Sequence, residues 1–222
     1  MRFMGIVASL SLLLVSAPAL SKGDKPSRID VLKGMIVAIS KDNTANMENR
    51  LEVRNQLDPL VNELLELSPS QTEGERASLV AGAWKSLWSD QSFGFGVDYQ
   101  QVYQVVSEDG YYYNISKVQG PEGVFTNFLR GAYESQGSYL AIEFTANELS
   151  PGFFPAKTQL VNLAEDFEAG LINSFSIPGP IGVTGVLMNI YVDDELRLVY
   201  GNSVSDTRPR LFVLERTQAI EK

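Results

Sequence analysis

From residue 79 onward the sequence alternates apolar and polar residues with the period of a β-strand, and this pattern is the strongest constraint on its fold. Asp109-Gly110 separates two alternating runs and predicts a hairpin turn, and Gln136-Gly137 and Asp193-Asp194 predict two more. About eight short strands joined by polar turns favour an antiparallel barrel or sandwich. The predicted strands cover residues 81–88, 97–105, 111–118, 124–134, 139–146, 187–192, 196–200 and 211–216.

Before residue 79 the apolar residues recur at the spacing of amphipathic helices. Ser27 and Asp30 form a capping-box pattern that predicts the start of a first helix. A second helix is predicted over residues 46–67, with a kink or break at Pro59, and residues 68–74 form a polar linker. Residues 160–171 fit a helix as well as a strand. The predicted class is therefore mainly β (α+β), with two or three helices before the β-rich part.

The composition excludes several kinds of chemistry. The chain has no cysteine and no histidine, which removes thiol nucleophiles, Ser-His-Asp triads and the usual zinc sites. A net charge of −9 disfavours nucleic acid as a partner, because phosphate binding needs a basic face. The adjacent acids at residues 193–195 indicate a solvated turn and not a metal site or a catalytic pair. We therefore expect a protein that is not an enzyme and that has no cofactor and no metal.

The first residues have the layout of a secretory signal peptide. One positive charge near Met1 precedes an apolar run that ends at Val15, and small residues around Ala19 match a cleavage site. The run is shorter than the ~20 residues that a transmembrane helix needs. We expect residues 1–21 to be removed on export, to the periplasm or outside the cell. The mature chain is predicted to have no integral membrane segment.

Two segments resemble known families. Gly82-Ala83-Trp84, at the start of the first predicted strand, matches the Gly-x-Trp signature of lipocalin-like barrels. The second segment resembles the C-terminal signature of the plastid lipid-associated protein/fibrillin (PAP/fibrillin) family. Its matching residues are Tyr191, Asp193, Leu196, Arg197, Gly201 and Leu211-Phe212-Val213-Leu214. The resemblance spans about residues 30–217.

The resemblance implies a lipocalin-like antiparallel β-barrel over residues 79–217. A helical segment and linker over 22–78 would precede the barrel, and a C-terminal tail over 218–222 would follow it. Members of the family usually reach the plastid by a transit peptide, and this chain has a secretory signal pattern instead. A bacterial periplasmic protein is therefore the first interpretation, and an algal protein of a complex plastid is the alternative. Residues 203–208 form an insertion relative to the family pattern.

The predicted function is non-catalytic binding, for carriage or storage, of a small apolar or amphipathic molecule in the barrel. The resemblance implies a lipid, an isoprenoid or a similar compound. The alternative is an envelope structural or interaction protein with a solid barrel and no ligand. Aromatic residues on the predicted strands are the candidate ligand contacts. The alternative is that several of them lie on the outside of the sheet. The candidates are Trp84, Trp88, Tyr99, Tyr103, Tyr113, Phe144 and Tyr191.

Four further residues are predicted to have structural roles. In lipocalin-like barrels the tryptophan that follows Gly82 packs against an arginine from a late strand. Arg216 is the expected partner of Trp84, because the first and last strands of a closed up-and-down barrel are neighbours. Arg197 is expected to pair with an acid instead. Asp193 is expected to pair with a nearby arginine or to cap its hairpin.

Overall fold

The computed structural model describes residues 26–45, 48–202 and 208–221. The predicted signal peptide at 1–21 and insertion residues 203–207 lie outside them. Three helices come first: α1 (Arg28–Asp42), α2 (Arg50–Leu67) and α3 (Glu73–Val80). The strands and a later helix follow in the order β1 (Gly82–Ser89), β2 (Val97–Val106), β3 (Tyr111–Gly120), β4 (Gly123–Gln136), β5 (Tyr139–Pro151), α4 (Leu160–Glu168), β6 (Phe175–Ser176), β7 (Thr184–Val192), β8 (Leu196–Asn202) and β9 (Arg210–Thr217).

Eight of these strands close into an antiparallel barrel, as the alternating pattern predicts. From β1 to β5, each strand pairs with the strand that follows it. The ring then continues through the pairs β5–β7, β7–β8 and β8–β9, and β9 pairs with β1 to close it. The two-residue strand β6 is attached to β5 beside this ring. Trp84 of the first strand pairs directly with Arg216 of the last. The predicted fold class, a mainly β lipocalin-like barrel preceded by helices, is confirmed.

The first two helices pack on the outside of the barrel. Ser27 caps α1 as predicted, because its hydroxyl accepts the Asp30 amide while the Asp30 carboxylate accepts the Ser27 amide. One apolar stripe of each helix lies against outward residues of β1, β8 and β9. We call this layer the helix-pair cluster; its fully buried members include Leu32, Ile36, Leu57, Val61, Leu64, Leu198, Leu211 and Val213.

The course of α2 and the start of α3 refine two sequence expectations about this region. Of the kink or break predicted at Pro59, the break is absent, because α2 is one helix from Arg50 to Leu67. Pro59 is exposed, while Leu57 and Val61 on either side are fully buried, so tertiary packing offsets the missing hydrogen bond. The linker predicted to end at residue 74 is shorter, because α3 begins at Glu73. Thr72 and Glu75 form the capping box that starts α3.

A second outer layer lies under α4. This helix covers β2, β3 and β4, where Tyr103, Tyr113, Ile115 and Phe128 are buried beneath it. Ile220 of the C-terminal tail joins the same layer. We call it the α4 cluster. None of the helices in the described ranges is both long enough and apolar enough to cross a membrane.

Candidate functional site

A cavity of about 590 Å³ lies inside the barrel, near the loops that follow β1 and precede β7. Ligand pockets for small molecules commonly measure ~300–1,000 Å³. One part of its wall is apolar, with Phe93, Leu129, Ile142, Phe144, Leu187 and Phe212. A wider depression of about 690 Å³ adjoins the cavity and shares Ile142, Gly185 and Asn202 with it. Because this depression is bounded by the exposed Glu134 and Glu143, the barrel cavity is the better candidate site.

The other part of the cavity wall is a set of hydrogen-bonded amides. Asn127 donates from Nδ2 to Asn147 Oδ1 at 2.9 Å, and Asn147 donates to the Pro178 carbonyl at 2.9 Å. The Tyr112 hydroxyl donates to Asn114 Oδ1 at 2.8 Å. Burial raises the pKa of the Tyr112 hydroxyl well above its ordinary value, so this group remains a donor at neutral pH. The cavity therefore has an apolar side and a hydrogen-bonding side.

The opposite end of the barrel is closed by Trp84. Its ring is fully buried, and the Arg216 guanidinium lies 3.8 Å from the ring centroid, which confirms the predicted contact. Trp84 Nε1 donates to the Val80 carbonyl at 2.9 Å, and Arg216 donates to the carbonyls of Ala81 and Leu79. Gly82 has a φ of +107°, and a Cβ there would lie 2.8 Å from Arg216 Nη1. Glycine at position 82 thus makes room for this closure.

The variant Arg216→Lys is expected to lower the free energy of unfolding by about 1 kcal/mol, because lysine keeps the charge and loses the flat plane that stacks on Trp84. Urea denaturation followed by circular dichroism measures this change. Arg28→Lys is the matched control, since Arg28 lies in an exposed ion pair with Glu63 on the helices. An equal, negligible effect of both variants would contradict the stacking role.

Arg197 has neutral partners in the structure, so the prediction that it pairs with an acid is wrong. Leu196 and Leu198 face outward into the helix-pair cluster, and strand alternation therefore turns Arg197 into the barrel. There its Nε donates to Asn189 Oδ1 at 2.8 Å and its Nη1 to Gln104 Oε1 at 3.3 Å. Its Cζ lies 5.8 Å from the Trp84 ring centroid.

Asp193 caps the hairpin between β7 and β8, which is one of its two predicted roles. Its Oδ1 accepts the backbone amides of Glu195 and Leu196 at 2.8 and 2.7 Å. Its cationic partner is Lys33 of α1, at 2.6 Å, and not an arginine. Burial raises the pKa of this carboxyl, but Lys33 and the other donors hold it below its ordinary value. Asp193 therefore lies on the outside of the barrel, where it connects the β7–β8 hairpin to α1.

Phe144 is the one predicted ligand contact that lines the cavity. Trp84 faces the interior but belongs to the packed closed end. Tyr99 lies beside the cavity mouth, where its hydroxyl accepts the Phe93 amide at 3.2 Å and its ring is 5.4 Å from that of Phe93. The structure places Trp88, Tyr103, Tyr113 and Tyr191 on the outside of the barrel, under its helices and away from the cavity.

Irregularities in two strands explain why Trp88 and Tyr191 lie on the outside of the barrel. A bulge between Ser86 and Trp88 reverses the alternation of β1, so Trp88 faces the helix-pair cluster instead of following Trp84 inward. A similar irregularity between Asn189 and Tyr191 turns Tyr191 outward. Tyr103 and Tyr113 follow regular alternation, and they face outward because α4 covers that side of the barrel.

Apart from Phe144, the residues that line the cavity were not among the sequence candidates, and they include the amides and Tyr112 as well as most of the apolar wall. Asn114 lies between Tyr113 and Ile115, and asparagine is depleted in strands, so its central position in β3 was the available signal. No group of three or more acidic side chains in the described ranges has the arrangement of a metal site. No protein-family model matches this chain, and a search of curated proteins finds no match.

Proposed function

We propose that this protein binds a small apolar or amphipathic molecule in its barrel cavity, as a carrier or storage protein without catalytic activity. The observation that supports this proposal is the cavity of about 590 Å³ with one apolar and one amide-lined side. An apolar wall favours a hydrocarbon portion, and convergent amides favour a polar portion. The two sides together suit an amphiphile better than a purely polar solute.

The mouth of the cavity supports the same proposal. Val183 lines the cavity and is 48% exposed, and the neighbouring Ile181 is 53% exposed. Apolar side chains at an opening lower the cost of passing an apolar molecule through it. The PAP/fibrillin resemblance, which rests on sequence motifs, agrees with a lipid or isoprenoid as the occupant. Export of the protein is likewise a proposal, and it rests on the N-terminal sequence alone.

A neutral fluorophore, N-phenyl-1-naphthylamine, tests the binding function. We expect its fluorescence to rise on titration with the protein, and we expect Leu129→Trp to weaken binding by roughly fivefold to a hundredfold. Leu129 lines the cavity, so a larger ring there occupies the space that the probe needs. Leu51→Trp is the control, because Leu51 is 66% exposed on α2 and carries the same new ring at the surface.

Two results would contradict this function. The first is an unchanged affinity in Leu129→Trp with the variant folded, which would place the probe elsewhere. The second is the absence of any bound probe together with the absence of lipid after native mass spectrometry and organic extraction. That second result favours the alternative of a structural or interaction protein, for which the solidly packed end around Trp84 is the supporting observation.

A further inference from the structure

Arginine side chains bring positive charge to the barrel, and one of them lies in its interior. Arg197 is fully buried inside it, Arg216 lies on Trp84 at the closed end, and Arg210 lines the cavity. Within the described ranges, no aspartate or glutamate lines the cavity and none is fully buried. The whole chain has a net charge of −9, so the buried Arg197 has the opposite sign to the protein as a whole. Such segregation of charge favours an anion inside the barrel.

Arg197 is the most unusual of these groups. It is 0% exposed, its two hydrogen-bond acceptors are the neutral side chains of Asn189 and Gln104, and its Nη2 is buried without a hydrogen-bond partner. Arg54, the second arginine that is buried within the described ranges, has two carboxylates instead, from Asp58 and Asp90. A buried charge without a counter-charge is costly, and it is commonly found where a ligand or partner supplies that counter-charge.

Arg197 remains a cation at neutral pH in spite of its burial. Loss of solvation lowers its pKa to about 10, and repulsion from Arg216 acts in the same direction, while Tyr112 and Tyr133 act against it. This value is still well above neutral pH, so the guanidinium keeps its charge. Arg216 and Arg197 both approach the Trp84 ring, at 3.8 and 5.8 Å from its centroid. Asp193 and Asp194 act on Arg216, so Arg197 is the member of this pair that an anion inside the barrel would neutralise.

Asn114 and Tyr112 connect this charge to the cavity. Both line it, and we call this part of its lining the cavity floor. Gln104, which accepts a hydrogen bond from Arg197 at 3.3 Å, pairs directly with Asn114 between β2 and β3. Charges interact more strongly in a barrel interior than in water, so the field of Arg197 reaches the floor with little screening. The apolar wall then remains for a hydrocarbon chain that extends toward the mouth.

Building on the proposed function, we propose that the occupant of the barrel is an anionic amphiphile with a hydrocarbon chain and one carboxylate. The carboxylate is directed to the floor at Tyr112 and Asn114, where Arg197 supplies the neutralising charge. The chain lies against the apolar wall formed by residues such as Leu129, Phe144 and Leu187. Arg197 is thereby a specificity-determining residue, which selects for the charge of the ligand and not for the length of its chain.

Three ligands of equal chain length test this selection: dodecanoic acid, 1-dodecanol and dodecyltrimethylammonium. Each displaces N-phenyl-1-naphthylamine from the wild-type protein near neutral pH. We expect the acid to bind about tenfold to a hundredfold more tightly than the alcohol, as a charge-assisted contact implies, and the cation to bind most weakly. We expect Arg197→Gln to reduce the affinity for the acid to that for the alcohol.

The control variants separate the interior charge from the overall charge of the protein. Arg28→Gln removes the same charge from an exposed ion pair on the helices, and we expect it to keep the preference for the acid. Arg210→Gln removes the cation that lines the cavity near the start of β9. Loss of the preference in Arg210→Gln, with retention in Arg197→Gln, would place the carboxylate at the mouth and overturn the assignment to Arg197.

The remaining outcomes distinguish this inference from the proposed function. Equal binding of the three ligands overturns the inference and leaves the binding function intact. Failure of all three and of the fluorophore, with the protein folded, overturns the binding function itself. If Arg197→Gln does not fold, Arg197→Met is the second variant, and the order of the three affinities in the wild-type protein decides the charge selection without any variant.

Discussion

Trp84→Ala is expected to lower the free energy of unfolding by about 3–5 kcal/mol, the usual range for removing a large aromatic side chain from a core. Trp84 is fully buried at the closed end of the barrel, where it contacts the last strand through Arg216. Its loss leaves a cavity and removes the surface on which the Arg216 guanidinium lies. It also leaves the Val80 carbonyl without the donor that it has in the structure.

Chemical denaturation of the wild-type protein and the variant measures this effect. Trp84→Phe is the matched control, because it keeps an aromatic ring and loses the Nε1 hydrogen bond, and we expect it to be the milder change. A double-mutant cycle with Arg216→Lys isolates the stacking contribution, because the two residues are in direct contact. A loss well under ~1 kcal/mol in Trp84→Ala would mean that the closure contributes little to stability.

The strands and their order were predictable from the sequence for a simple physical reason. Neighbouring strands pair through tight turns, and turn chemistry such as that of Asp109-Gly110 is local in sequence. Gly110 has a φ of +92°, a conformation that favours glycine. The resemblance to lipocalin-like barrels implied an arginine on Trp84, and closure favoured Arg216, since the first and last strands of such a barrel are neighbours.

The side of the barrel wall on which an individual side chain lies was less predictable, because it depends on contacts between residues that are distant in sequence. One extra residue in β1 reverses the side on which Trp88 lies, and no residue type marks that bulge. Tyr103 and Tyr113 are apolar enough for either face, and the position of α4 decides that they lie outside. Because Tyr113 lies on the outer face of β3, the next residue, Asn114, lies on the inner face and lines the cavity.

The charges inside the barrel were the least predictable feature. Arg197 lies between Leu196 and Leu198 in a motif that implies an acidic partner by its spacing from Asp193. Asp193 instead accepts the backbone amides of its own turn and pairs with Lys33 of α1. Because Asp193 remains on the outer side and Arg197 points inward, the two charges of the motif lie on opposite sides of the strand layer.

Arg54→Met is expected to lower the free energy of unfolding by about 3 kcal/mol, at the low end of the range for breaking a buried ion pair because Asp58 is partly exposed. Burial acts to lower the pKa of Arg54, but Asp58 and Asp90 raise it above its ordinary value. The Arg54 side chain is 4% exposed, and its Nη1 lies 2.7 Å from Asp90 Oδ2. Its removal leaves the largely buried Asp90 without the guanidinium that it contacts directly in the structure.

The effect of Arg54→Met extends from α2 to the cavity mouth. Asp90 also accepts the Leu211 amide at 2.7 Å, and it directly precedes residues 91–93, which line the cavity. Thermal and urea denaturation measure the stability, and Arg208→Gln is the control, because it removes the exposed partner of Asp58 and is expected to cost no more than about 1 kcal/mol. Asp90→Asn added to Arg54→Met should recover part of the loss, since the uncompensated carboxylate is then gone. Equal effects of Arg54→Met and Arg208→Gln would show that burial adds nothing to this ion pair.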